Sequence, residues 1–503
     1  MNEKAPATTR NAVPRLVPID RKQLQWRALD FESLIGPEHP ARALWQLTGE
    51  LDLTLYYNEI DAVEGVAGRC STDPRLLICL WLYGYSKNIS SAREIARECE
   101  YEPGFSWLCA GAGPSYHVLS DFRSENGAAL DDLFAQTLGM LSAEGLIRLE
   151  CVTQDGTKIR ANAGSNTFRR QASLEEHLGR AEELVRRMQE QSEREEQTSA
   201  RKQAAKKRAL EERAARLKAA TEEVKKLQKR KQDGTAAQAS TTDADAHFMR
   251  TTGGGLVPSY NTQLTTDAEH GLVVGLEVVT EANDSAQMAP ALQRSLLQHG
   301  QYPQQIVADG DYTNHASVQE AAKCGVDFYG SWPPASESRE FDAQGRTAEF
   351  QSSAFQYNEA EDSYRCPAGQ TLVLYNIQVA GKGVQNRIYR TAAEVCATCP
   401  MKPACAPANA KPAWLRSVSR TVEPEAVTGF KAKMATEQAR QIYRKRSQIA
   451  EFPHAWLKTR GGLRQFRCRG RYKVRLEALW AVLSYNLCRW FGIRRESLAS
   501  MTV

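Results

Sequence analysis

The 503-residue sequence predicts an α/β fold in which a mixed β-sheet forms the core. The first observation is that short apolar strands alternate with helical patterns within residues 149–330. The second is that helical periodicity at 26–148 precedes this region, and a charged helical stretch at 168–240 interrupts it. The third is a segment rich in proline, glycine and cysteine at 331–430, after which residues 431–503 are helical again.

Composition restricts the class of protein. Hydrophobic residues make up 42% and charged residues 25%, which is typical of a globular protein. The sequence starts without an apolar signal segment, and its most apolar run, residues 76–85, is too short to cross a bilayer. We therefore expect a cytoplasmic protein without membrane attachment, whose twelve cysteines are reduced thiols or metal ligands. The net charge of +5 permits a polyanionic partner without requiring one.

The N-terminal third is predicted to be helical after a flexible arm at residues 1–25. Pro74 follows Asp73 at the start of an almost entirely apolar helix, and residues 91–94 form a capping box that begins another. Ser115 starts a further helix after a glycine-rich break. Two short helices separated by a turn suit either a helix-turn-helix that docks on DNA or the packing of a small helical domain, and the sequence leaves both open.

The stretch at 168–240 is densely charged and nearly free of glycine and proline. Apolar residues recur at helical or heptad spacing in two series, at 174–188 and at 210–227. The pattern predicts a helical hairpin or coiled-coil arm inserted into the sheet domain, which would form dimers or touch DNA. Because the stripe is lost at 192–207, a single solvated helix is the alternative.

Strands and helices then alternate in an order that gives a mixed sheet. We predict strands at 151–154, 256–263, 270–280, 305–308 and 326–329, and helices at 288–299 and 316–324. Asp155 and Asp309 each follow the end of a predicted strand, at the edge where open α/β sheets bind ligands. Taken alone, Asp155 is also compatible with an exposed aspartate that begins a turn.

A third acid, Glu451, lies on a late predicted helix. If the sheet brings Asp155, Asp309 and Glu451 together, their oxygen atoms form a site that suits Mg²⁺ or Mn²⁺. Two such ions promote in-line displacement at phosphorus. Lys458 lies seven residues after Glu451, on the same helix face, where it could hold a phosphate beside the metal.

A basic run at 460–475 follows this helix. Phe466 and Tyr472 are interleaved with its arginines, which suits phosphate contact and base stacking, whereas the alternative is an ordinary solvated basic helix. The predicted DNA-binding residues are Lys158, Arg446, Lys458, Arg460, Arg464, Arg467, Arg469 and Lys473.

Four cysteines cluster in the segment at 331–430, with a C-x2-C-x5-C spacing in three of them. The group suits a tetrahedral Zn²⁺ site that would hold together a segment too small for a core of its own, although four free thiols are the alternative. The four are Cys366, Cys396, Cys399 and Cys405. Three histidines near polar stretches are expected to be satisfied structural side chains, namely His117, His270 and His454.

Taken together, these motifs resemble those of the DDE transposases of bacterial insertion sequences. Residues 155–158 match a D-G-T-K strand, and residues 308–312 match an A-D-x-G-Y strand. Tyr443, Arg446, Glu451 and Lys458 match a Y-x2-R-x3-E-x6-K helix. The similarity also includes Tyr260, Asn261, Gln263 and residues 469–477, so it extends from about residue 30 to 490. Asp311 stands where the family has glycine, and Arg446 lies one residue further from Glu451 than the signature requires.

The resemblance implies a ribonuclease-H-like catalytic core with Asp155, Asp309 and Glu451 as the catalytic, metal-binding acids. It implies cleavage of DNA at insertion-sequence ends and strand transfer into target DNA, by a homodimer in the DNA complex. A similar cysteine-rich insertion occurs in members of the family. Two alternatives remain open: a non-catalytic DNA-binding descendant of such an enzyme, and a metal-dependent nuclease that performs no strand transfer.

Overall fold

The computed structural model describes residues 30–62, 65, 70–192, 200–231, 235–251, 253–332, 348–380, 384–407, 410–411 and 414–501. The flexible arm predicted at 1–25 lies outside the described residues. The helices are α1 (Pro40–Glu50), α2 (Thr54–Tyr57), α3 (Pro74–Ser86), α4 (Ala92–Tyr101), α5 (Pro103–Cys109), α6 (Tyr116–Glu125), α7 (Gly127–Ala143), α8 (Gln171–Ser192), α9 (Ala200–Arg230), α10 (Met288–His299), α11 (His315–Lys323), α12 (Ala393–Ala397), α13 (Lys402–Cys405), α14 (Glu425–Met434), α15 (Glu437–Arg444), α16 (Arg446–Thr459) and α17 (Arg471–Met501). The strands are β1 (Cys151–Arg160), β2 (Phe168–Arg169), β3 (Ala239–Ser240), β4 (His247–Arg250), β5 (Leu256–Asp267), β6 (Val273–Val279), β7 (Gln305–Ala308), β8 (Asp327–Tyr329), β9 (Gln356–Asn358), β10 (Ser363–Arg365), β11 (Thr371–Ala380), β12 (Val384–Arg390) and β13 (Ser417–Val422).

The central sheet is mixed, as predicted. Its strand order is β4-β5-β1-β7-β8, and β6 pairs with a later part of β5 than β4 does. Strand β1 is antiparallel to β5 and parallel to β7, and β7 is parallel to β8. Because β5 is buried along nearly its whole length, its polar residues need partners inside the protein.

The N-terminal helices and the sheet share one apolar core. Helix α3 begins where Asp73 accepts a hydrogen bond from the Arg75 amide, and its almost entirely apolar sequence is buried on every side. Helix α17 lies between the two parts: Ser484 Oγ donates to Leu82 O at 3.0 Å, and Asn486 bonds both the amide and the carbonyl of Val273 in β6. The helices before residue 148 are therefore not packed around a core of their own.

Helices α8 and α9 pack against each other as two separate helices. A small apolar cluster between them and the following strand contains Leu174, Ala181, Leu217, Ala220, Val224, Ala237 and Ala239, apart from the main core. This pairing excludes the alternative of one solvated helix for the inserted stretch.

The cysteine-rich segment has a core of its own, contrary to expectation. Its described part is a five-stranded antiparallel sheet in the order β13-β12-β11-β10-β9. Phe355, Leu372, Tyr389 and Val418 are buried on it. The hydroxyl of Tyr389 donates to Asp362 Oδ1 at 2.6 Å, so the buried ring keeps a partner for its polar end.

The C-terminal region is not continuously helical, which corrects a second expectation. A loop at 461–470 separates α16 from α17, and Gly462 and Gly470 in it have φ values of 68° and 80°. Left-handed backbone of this kind favours glycine and ends a helix. Phe466 N donates to Arg160 O at 2.9 Å, which ties the loop to the end of β1. None of the helices in the described part of the chain is long and apolar enough to cross a membrane.

Candidate functional site

Asp155 and Asp309 are neighbours at the point where the parallel pairing of β1 with β7 ends. The parallel ladder between β1 and β7 ends at the pair Gln154 and Ala308, and each aspartate is the next residue in its chain. Asp309 therefore lies beyond the end of its strand, as predicted. Asp155 lies in the middle of β1 instead, because β1 continues as the antiparallel partner of β5 after its parallel pairing has ended.

The ionised forms of both aspartates are penalised, as their raised pKa values show. Burial raises the pKa of Asp155 to about 6, Arg446 opposes this shift, and Asp309 adds to it. Burial likewise raises the pKa of Asp309, and Asp311 is the next cause. Two carboxylates whose ionised forms are penalised in one place form a site that a cation would stabilise.

Asp309 is held by the turn that follows it. Its Oδ1 accepts hydrogen bonds from Asp311 N at 3.0 Å and Tyr312 N at 3.4 Å, at the start of a 3-10 turn, Gly310–Tyr312. Asp311, which stands in the family's glycine position, adopts no left-handed backbone here. An aspartate therefore fits at position 311, because the turn does not require the left-handed conformation that would favour glycine.

A further aspartate, Asp284, is buried, and its charge adds to the raised pKa of both Asp155 and Asp309. It accepts hydrogen bonds from Asn261 Nδ2 at 2.7 Å and Gln263 Nε2 at 2.6 Å, both from β5. Lys158 Nζ is 3.8 Å from its Oδ2. A Cβ on Gly156 would lie 2.5 Å from Gln263 Nε2, so the close approach of β1 to this network requires glycine there.

Sequence reasoning missed Asp284. One signal could have found it: Asn261 and Gln263 stand at alternate positions of an otherwise buried strand, so both need a polar partner on the same face. The partner itself lies in a bend after β6 whose sequence carries no motif.

Helix α16 packs over Asp155. Arg446 Nη1, at its start, lies 3.4 Å from Asp155 Oδ2, and Lys458 Nζ, near its end, donates to Thr157 Oγ1 on the same strand. Burial lowers the pKa of Lys458, and Asp155 opposes that shift. Glu451 lies between them on the helix with its side chain exposed. Among the described residues, no hydrogen bond or ion pair joins Glu451 to either aspartate.

His454 is buried beside Asp155, and the expectation that it is a satisfied structural side chain is wrong. Its Nε2 is 3.9 Å from Asp155 Oδ2, and neither ring nitrogen has a hydrogen-bond partner in the described part of the chain. Burial lowers its pKa to about 3, with Lys458 and Arg446 adding to the shift, so the ring is neutral and forms no ion pair. His270 meets the expectation, since its Nδ1 lies 3.1 Å from Leu146 O.

The predicted DNA-binding residues of the basic run are exposed, whereas one of its two aromatic residues is buried. The side chains of Arg460, Arg464, Arg467, Arg469 and Lys473 are exposed. Phe466 is 1% exposed and packs edge-on against Tyr260, so the structure corrects its prediction as a base-stacking residue. Tyr472, at 56% exposed, remains accessible.

The four cysteines of the insertion line one cavity of about 30 Å³. Cys366 lies in a turn in which Gln370 N donates to its Sγ at 3.3 Å, and the other three come from α12, α13 and the link between them. Among the residues that the structure describes, no cluster of three or more histidine, cysteine, aspartate or glutamate side chains is arranged to hold a metal ion.

Comparison with protein families identifies two segments of the chain. Residues 29–125 match a transposase domain described as DUF772, and residues 365–491 match a transposase DDE domain. Both matches support an insertion-sequence DDE transposase. The first match covers the helices from α1 to α6, and the second runs from Arg365 into α17 and includes Glu451. No curated protein matches the chain.

Proposed function

We propose that the protein cleaves DNA at the ends of an insertion sequence and joins the freed strand to target DNA in a metal-dependent reaction. The observation that carries this proposal is the pair of Asp155 and Asp309, which directly follow the last parallel pair of β1 and β7 and have raised pKa values. The helix that presents Arg446 and Lys458 packs against Asp155 and its strand. Carboxylates placed in this way, together with a transposase DDE match, favour phosphoryl transfer over simple DNA binding.

The donor atoms of the site fit a hard divalent cation. Burial raises the pKa of both Asp155 and Asp309, and carboxylate oxygens are the ligands that Mg²⁺ and Mn²⁺ prefer. We infer that Asp155, Asp309 and Glu451 hold the ion, with Glu451 contributed by α16. When bound, the ion supplies activation of the attacking oxygen and stabilisation of the leaving oxygen.

The remaining side chains of the site bind the DNA or position Asp155. Lys458, which donates to Thr157 Oγ1 beside Asp155, would hold a phosphate of the DNA close to the carboxylates. Arg446 fixes the carboxylate of Asp155 through their 3.4 Å contact. The buried ring of His454 keeps water away from the inner side of Asp155.

The test is cleavage of labelled DNA that carries the sequences flanking the gene, with Mg²⁺. We expect wild type to cut at a discrete end, and Asp155→Asn and Glu451→Gln to bind the same DNA without cutting it. Asp121→Asn, an exposed aspartate on α6, is the matched control and retains cleavage. Cleavage by Asp155→Asn would contradict the proposal.

A second product separates transposition from simple nuclease activity. Joined donor and target strands support the transposase, whereas cleaved ends alone support a nuclease without strand transfer. Binding without cleavage by wild type would favour the non-catalytic descendant. We expect the DNA complex to contain a homodimer, measured by light scattering after size exclusion.

We also propose that Cys366, Cys396, Cys399 and Cys405 bind structural Zn²⁺. Their common cavity and the amide that donates to Cys366 Sγ support it, since thiolate ligands are stabilised by such hydrogen bonds. Elemental analysis of the purified protein should find stoichiometric zinc, which Cys399→Ser loses and Cys70→Ser, an exposed cysteine elsewhere, retains. Wild-type protein that contains no zinc would overturn this assignment.

A further inference from the structure

A large open groove lies where three distant parts of the chain meet. Its volume is about 890 Å³. Its walls come from the N-terminal part of α4, from α6, from the middle of α9, from residues 242–245, and from the loop before α17 together with the first turn of that helix. The groove is separate from the candidate catalytic site: Asn162, on its wall, lies just past the end of β1, and the strand from Asp155 to Arg160 alone spans on the order of 15 Å. We call this feature the cationic groove.

Its basic side chains are mostly unneutralised. Arg93, Arg467, Arg469 and Lys473 line the groove, are exposed, and form no ion pair among the described side chains. Arg216 of α9 also lines it and is 3.9 Å from Glu212, a contact between exposed groups that is worth little.

Two acids, Asp243 and Asp245, also line the groove, and Asp243 Oδ2 is buried without a hydrogen-bond partner among the described residues. Asp243 accepts hydrogen bonds from Tyr260 OH at 2.7 Å and from Gly470 N at 3.1 Å. Asp245 Oδ2 accepts from Arg471 N at 2.8 Å, at the start of α17. These hydrogen bonds come from neutral donors and leave both carboxylates charged. The groove is still lined by more cations than acids, so the field that it presents to a ligand is positive.

Two helix N-termini and one aromatic ring also favour binding of a negatively charged nucleic-acid backbone in the groove. Helices α4 and α6, each of ten residues, begin at Ala92 and Tyr116 on the wall of the groove, and helix N-termini carry partial positive charge. The guanidinium of Arg93 lies over the ring of Tyr116 at 5.0 Å, which holds this cation in place without neutralising it.

We propose that the cationic groove binds the phosphate backbone of duplex DNA, through contacts shared by α4, the inserted arm and the loop before α17. The inference rests on the proposed function for the identity of the polyanion. The spacing of the cations over three elements suits an extended polyanion rather than one small anion. It gives the N-terminal helices a role as one wall of a composite DNA site, and it gives the arm a DNA contact at Arg216.

The test measures DNA affinity without metal, so that it does not depend on cleavage. Binding of a labelled duplex is measured in EDTA over a series of salt concentrations, for wild type, Arg93→Ala and Arg216→Ala. We expect each substitution to weaken binding about five- to tenfold near 0.1 M salt, and to reduce the slope of log K against log salt by about one. Lys473→Ala, from the third wall, is expected to behave in the same way.

Matched controls lie on the same helices. Arg97→Ala is one turn further along α4, where Arg97 pairs with Glu98 outside the groove, and Lys218→Ala changes an exposed lysine of α9 that does not line it. Both should keep the wild-type affinity and slope. Unchanged binding by Arg93→Ala and Arg216→Ala, or an equal loss in the controls, would overturn the proposal.

The same DNA incubated with Mg²⁺ separates this inference from the proposed function. If the groove variants change the slope of log K against log salt but wild type does not cleave, DNA binding by the groove is supported and the transposase proposal is contradicted. Wild-type cleavage with unchanged slopes in the groove variants contradicts the groove alone.

Discussion

Asp155 is the residue at which local chemistry and stability conflict. Burial is the largest cause of its raised pKa, and the arginine that faces it does not offset the combined effect of burial and Asp309. Ionised Asp155 therefore destabilises the metal-free protein. Such a penalty is common at sites whose charge is completed by a ligand.

This conflict predicts a pH-dependent gain in stability for Asp155→Asn. The folded pKa of about 6 exceeds the ordinary 3.8, so the folded state binds more protons between these values and stability falls as pH rises through that window. In EDTA near pH 7, we expect Asp155→Asn to raise the free energy of unfolding by about 1–2 kcal/mol, with no gain below about pH 4.

Urea unfolding of wild type and variant at the two pH values measures the difference. Asp121→Asn, on the exposed face of α6, should change the free energy of unfolding at neither pH. A variant that is less stable than wild type near pH 7 would show that Arg446 more than offsets the cost of the buried charge.

At the scale of elements, the inserted helices α8 and α9 have a hydrophobic cluster of their own. This cluster shares no buried residue with the main core, although Glu223 of α9 contacts His247 of β4 at 3.2 Å. We therefore expect local opening of the arm to be separable from unfolding of the sheet.

Leu217→Ala is predicted to loosen the arm alone. Leu217 is 3% exposed in the arm's cluster, and removal of its side chain should cost about 2–5 kcal/mol locally. Hydrogen exchange should accelerate in α8 and α9 and stay unchanged in β1 and β5. The same substitution at Leu184, which is 45% exposed on α8, is the control with little effect. Faster exchange throughout the sheet would show that the arm and core unfold together.

At the scale of the whole molecule, one buried carboxylate joins the two halves of the chain. Glu477 of α17 is fully buried and accepts from Arg467 N at 3.0 Å and Cys468 N at 2.8 Å. Arg123 of α6 lies 3.7 Å from it and donates to Ser90 O at 2.8 Å. Glu477 therefore holds the loop before α17 and the N-terminal helices in one arrangement, which also shapes the cationic groove.

Glu477→Gln is predicted to destabilise the whole protein. It leaves Arg123 as a buried charge without a counter-ion, which costs about 3–5 kcal/mol. Chemical denaturation should show the loss in both the helices and the sheet, because they share one core. Glu269→Gln removes an exposed partner of Arg148 and should cost less than about 1 kcal/mol. Wild-type stability for Glu477→Gln would mean that the pair contributes nothing.

The local elements and the two aspartates were predictable from the sequence. Met288–His299 forms a helix with the expected bounds, and Asp309 follows its strand as expected, because apolar periodicity and turn residues act over a few positions. The family motifs led to the same aspartates, to Arg446 and to Lys458, since each lies in a short recognisable run.

What the tertiary structure decided depends on contacts between residues far apart in the chain. Phe466 is buried because its loop pairs with Arg160, and His454 loses its hydrogen-bond partners because α16 closes over β1. The cationic groove likewise exists only where α4, α9 and the loop before α17 meet. Local sequence sets which side chains an element carries. Burial and charge balance come from the packing of distant elements, which no short window of sequence contains.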